Sequence, residues 1–134
     1  MQQFLPRAVV VLGVLHALAA IVFGSLAHID STNQFPDLVT NDDGLFAVGL
    51  YANRNLGVGL ALLAALAVRS RLAVVGLFLA RFITDLADFV VALADLDGAG
   101  ALVRQLIFSG LLFASEIYMI RALLRLERSE AASL

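Results

Sequence analysis

The sequence predicts an all-α integral membrane protein: a bundle of four transmembrane helices, with both termini in the cytoplasm. Three observations lead there. Of 134 residues, 61% are hydrophobic and only 15% are charged, and the mean hydropathy is +0.94. A soluble domain is about 45–50% apolar and about 25% charged, and a chain this short has too much surface to hide such apolar mass from water. Next, four stretches approach the ~20 apolar residues that cross a bilayer: 7–27, 45–68, 72–94 and 101–124. Finally, Arg7, Arg69, Arg71, Arg125 and Arg128 flank one side of these stretches, and the two loops on the other side contain no arginine. The positive-inside rule then puts both ends in the cytoplasm. The chain reads as one four-span domain, 1–134, expected in a plasma membrane.

Composition also excludes several functions. A net charge of −2 leaves no basic face for nucleic acid. The absence of cysteine excludes disulfides, thiolate metal sites and thiol redox chemistry. All nine basic residues are arginine.

The first stretch places Gly13, Ala17, Ala20 and Gly24 at spacings of four, three and four, which is one helical face. Small residues let helices approach closely in lipid, so this face reads as a packing seam, with Gly49, Ala52 and Gly59 as its counterpart on the second stretch. The alternative is a narrow passage lined by small side chains. Ser25-Leu26-Ala27 is faintly like a signal-cleavage site. The apolar run is long for a signal and carries His16, so the segment is expected to be retained.

The connections differ in kind. Residues 29–44 form a long acidic loop with Asp30, Asp37, Asp42 and Asp43, and Pro36 argues against a helix running through it. Arg69-Ser70-Arg71 reads as a tight basic turn and 95–100 as a short acidic turn. Residues 125–134 read as a charged tail.

Besides Arg7 and Arg121 near the cytoplasmic ends, six of the twenty charged residues lie within the spans: Arg54, Arg81, Asp85, Asp88, Arg104 and Glu116. Such groups are costly in lipid and mark function or an internal network. The second stretch carries Tyr51, Asn53, Arg54 and Asn55. In the third, Arg81, Asp85 and Asp88 form one stripe at i, i+4 and i+7. The fourth carries Arg104, Gln105, Ser109 and Glu116, and the first contributes His16. At about 1.5 Å per residue, opposite charges match in depth: Arg54 with Asp85, Arg104 with Asp88, and Arg81 with Glu116. His28 falls at the outer interface and is expected to be solvated.

The bland reading is that these pairs only set helix register. The functional reading is a polar site. Its ligand-binding candidates are Tyr51, Asn53, Asn55, Arg81, Arg104, Gln105, Glu116 and His16. Asp85, Asp88 and Arg54 are the catalytic candidates if the chain is an enzyme. No metal and no cofactor is expected: Asp85-x-x-Asp88 offers two oxygens on one face, but the acidic pair and glycine of a CDP-alcohol transferase motif are missing.

Four short spans, a long first outer loop and the run Tyr51-Ala52-Asn53-Arg54-Asn55-Leu56-Gly57-Val58-Gly59 resemble the DoxX-like superfamily of small bacterial membrane proteins. The matching features are Arg54-Asn55 with Gly57 and Gly59 in the second span, and Asp85 or Asp88 late in the third. The resemblance implies a four-helix membrane bundle. Proteins of that type are tied to quinone-linked oxidoreductase complexes, but this sequence has no redox ligand set of its own.

Three functions are therefore expected in order. The first is a ligand-binding or accessory module, working with a lipophilic small molecule, as a homo-oligomer or beside a partner membrane subunit. The second is an enzyme on a lipophilic substrate, an isomerase, cyclase or epoxide-opening catalyst, with Asp85 or Asp88 as general acid or base and Arg54 stabilising negative charge. The third is an oligomeric transporter or channel subunit.

Overall fold

The computed structural model describes residues 4–34, 42–94 and 99–132. The described residues are helical, with no strand among them: α1 (Arg7–Ile29), α2 (Ser31–Gln34), α3 (Asp42–Ala67), α4 (Arg71–Ala94) and α5 (Ala99–Ala131). Most of the loop with Pro36 and Asp37, and the acidic turn at 95–98, lie outside the described residues. The chain divides into two compact units, Met1–Arg69 and Ser70–Leu134.

Three helices are long and apolar enough to cross a membrane: α1, α3, and Leu102–Ala131 within α5. The expected third span, α4, has 24 residues. Its length suffices, but any 18 consecutive residues of it include Arg81, Asp85 and Asp88, so by composition it is not a simple apolar span. Large side chains on the outer faces are exposed, among them Val11, Leu15 and Val22 on α1 and Phe108 and Leu111 on α5. Such a surface is costly in water and suits lipid.

In the first unit, α1 packs on α3. Pro6 sits immediately before α1, where its missing N–H costs no helical bond. The buried stripe of α1 is Val9, Gly13, His16, Ala17, Ala20, Gly24 and Ala27, in steps of three and four apart from the adjacent His16 and Ala17. On α3 it includes Val48, Ala52, Asn55, Gly59 and Leu62. The contact is backbone-close at two points. A Cβ on Gly24 would lie 2.8 Å from the Ala52 carbonyl oxygen, and one on Gly59 would lie 2.8 Å from that of Ala17. That spacing leaves no room for a passage between these two helices. The seam was legible in the small-residue spacing, with one correction: Gly49 has nothing within 4 Å and takes no part in it. Gly13 is a softer case, meeting only the movable Leu66 side chain at 3.0 Å.

Helix α3 ends at a left-handed residue, Arg69 (φ 52°), whose amide donates to the Leu66 carbonyl at 3.1 Å. Ser70 then starts α4, its hydroxyl accepting from the Ala73 amide at 3.3 Å. These are helix C-terminal and N-cap devices, and they make the expected tight turn.

In the second unit, α4 packs on α5. Phe113 receives Phe82 and Phe89 edge-on, at centroid distances of 5.4 and 5.8 Å, an arrangement favoured by the ring quadrupoles. The buried residues Ser109, Glu116, Met119 and Leu123 all lie on one face of α5.

The expected tail is instead helix. α5 has 33 residues, about 50 Å at 1.5 Å each, well beyond a ~30 Å hydrocarbon core. Its end is held by Arg71, which donates to both carboxylate oxygens of Glu130 at 2.6 and 2.8 Å and lies 3.6 Å from Glu127. Arg71 and Glu130 lie outside the apolar stretches 72–94 and 101–124. The hydrogen bond from Arg71 holds the Glu130 carboxyl below its ordinary value, and the same bond raises Arg71. A carboxylate depressed by folding stabilises above its unfolded pKa, about 4.3, and that contribution is lost as pH falls through the folded value. Glu130→Gln is therefore expected to lower the thermal midpoint at pH 7, and the gap from the parent is expected to close below about pH 4. Melting curves followed by circular dichroism across that range check this.

Candidate functional site

The candidate residues fall into two groups, one in each unit. In the first unit they lie on α3 and on α1, and each described one has local work. Asn55 is buried and its amide donates to the Tyr51 carbonyl at 3.0 Å. Tyr51 packs beside Ala27, Val48 and Ala52. The Arg54 guanidinium carbon stands 5.4 Å from the Tyr51 ring centroid, a cation–π contact. His16 is buried on the seam face of α1. His28 is exposed but not merely solvated, because its Nε2 lies 3.1 Å from the Asn53 Oδ1. This link between α1 and α3 went unread in the sequence, where the two residues stand 25 apart.

The second unit holds the more unusual arrangement. Arg81 Nε lies 3.1 Å from Asp85 Oδ2, one turn along α4, and 3.7 Å from Glu116 Oε1 on α5. Arg81 and Asp85 are 12% and 11% exposed, and Glu116 is fully buried. Charge in such surroundings is costly unless opposite charges and hydrogen bonds answer it. Helix geometry explains the placement: i and i+4 share a face, and Glu116 lies on the face of α5 that meets α4. Gln105 is on the same face and donates to Ser109 Oγ at 3.2 Å, forming a second polar step. Thr84, beside the cluster, donates to the Arg81 carbonyl at 2.8 Å.

Of the three depth-matched pairs, Arg81 with Glu116 is present. Asp85 has Arg81 as its ion-pair partner within its own unit, and Arg54 belongs to the other unit. Arg104 and Asp88 are both exposed, and no ion pair joins them among the described residues. Depth counts rise along the helix but not direction around it: Arg104, next to Gln105, points about 100° away from the face that meets α4.

Chemically, a guanidinium between two carboxylates offers a fork of donors and two acceptor groups in an apolar setting. It suits holding a small polar group and ordering it against an apolar body. Among the described residues no three of His, Asp or Glu gather as a metal site. No family model, curated protein or solved structure matches the chain.

Proposed function

We propose that this protein is a four-span integral protein of the bacterial inner membrane, with cytoplasmic termini and α4 as its third span, and that it serves as a ligand-binding accessory module. The resemblance of Tyr51–Gly59 to the DoxX-like superfamily belongs to the same reading. The ligand is a lipophilic small molecule with a polar end, and Arg81, Asp85 and Glu116 receive that end. The observation carrying this is the buried Arg81–Asp85–Glu116 cluster on helices whose outer faces are apolar. Buried ion clusters are weak evidence for stability, since apolar replacements often serve as well, so their presence within spans favours a functional role.

The test is native mass spectrometry of the chain extracted from its membrane in mild detergent. The parent is expected to carry a small molecule that Arg81→Gln has lost. A parent that releases only bulk lipid and detergent contradicts the reading.

A further inference from the structure

We propose that the charged end of α5 seats the headgroup of an anionic phospholipid. On this half of the helix the charges are sorted by face. Arg121, Arg125 and Arg128 follow at i, i+4 and i+7, with Tyr118 one turn earlier, so all four form one stripe. Glu127 and Glu130 lie on the opposite side, where Arg71 engages them. The acids are thus drawn away from the arginine stripe, and among the described residues no acid pairs with Arg121, Arg125 or Arg128. All three are exposed.

The stripe also has a shape. An open groove of about 410 Å³ is lined by Ala114, Ile117, Tyr118, Arg121, Ala122 and Arg125. Its wall is apolar toward the span and cationic toward the helix end. A phospholipid has the matching polarity, with acyl chains beside Ala114 and Ile117 and phosphate beside the guanidiniums. Tyrosine at this boundary is the usual interfacial anchor, and arginine binds phosphate through paired donors. Arg121 stands in the last turn of the apolar stretch 101–124, and Arg125 and Arg128 lie just beyond it, which puts the stripe at headgroup level. The inference rests on the membrane reading above but not on the Arg81 cluster or its ligand.

The test uses the full chain in micelles doped equally with phosphatidylcholine and phosphatidylglycerol, with bound lipid read by native mass spectrometry. The parent is expected to retain phosphatidylglycerol about tenfold or more over phosphatidylcholine, from three cations near an anionic headgroup. The preference is expected to disappear in R121Q/R125Q/R128Q and to survive in the triple lysine variant. If the triple glutamine variant fails to fold by circular dichroism, R125Q alone is expected to reduce the preference. Equal retention of the two lipids by the parent overturns the proposal, as does an undiminished preference in a folded glutamine variant. Added inorganic phosphate that abolishes the preference at millimolar concentration also overturns it, because the seat would then be for a free anion. A parent that carries no Arg81-dependent ligand but keeps the lipid preference would fault only the earlier reading.

Discussion

Gly59→Ala and Gly24→Ala are each expected to destabilise the first unit by about 1–3 kcal/mol, the range for overpacking a close contact. The added methyl group meets backbone, which cannot turn aside as a side chain can. At Gly59 it would come within 2.8 Å of the Ala17 carbonyl oxygen and 2.7 Å of Ile21. At Gly24 it would meet both the Ala52 carbonyl and the Leu56 backbone amide, at 2.8 and 3.0 Å. The helices must separate, and the contacts of Ala17, Ala20 and Ala52 loosen with them. Gly57→Ala is the control, on the same helix with nothing within 4 Å. It is expected to be stabilising by up to ~1 kcal/mol, the helix-propensity difference. Thermal melts in detergent of the three variants check the contrast. Equal effects of Gly57 and Gly59 would show that the α1–α3 approach is not as close as described.

Arg81→Leu is expected to cost about 3–5 kcal/mol, because it removes one partner of a buried ion cluster and leaves carboxylates behind. Asp85 and Glu116 each lose the guanidinium that lies 3.1 and 3.7 Å away. The triple change Arg81→Met, Asp85→Val and Glu116→Leu is expected to recover most or all of that loss, since an apolar set of similar bulk has no charge to solvate. Measured in parallel, the single variant should melt well below the parent and the triple variant close to it. A single variant as stable as the parent would mean that the cluster does not carry the charge balance described.

How far the sequence reaches is clearest residue by residue. Gly13, Ala17, Ala20 and Gly24 announced the seam because helical period alone puts them on one face. Gly49 was misread for the same reason in reverse, since spacing shows which small residues could approach a neighbour and not which do. Arg81 with Glu116 was readable from depth. The contact of Arg81 with Asp85 was visible as an i, i+4 stripe, but matching charges across helices drew attention away from a partner one turn along. Arg104 with Asp88 failed because depth carries no azimuth. The helical tail was hidden by its charge: Arg125–Glu130 looks like a solvated end, yet arginine, leucine and glutamate are good helix formers, and Arg71, distant in sequence, clamps it. The composition of α4 was also legible: Arg81, Asp85 and Asp88 are what separate it from the three helices apolar enough to cross a membrane.

A ligand received by the Arg81–Asp85–Glu116 cluster is separated from a cluster that only fixes helix register by native mass spectrometry of the apolar triple variant beside the parent. The expected result is a folded triple variant stripped of the small molecule that the parent carries. The same molecule retained at equal occupancy by both would contradict it.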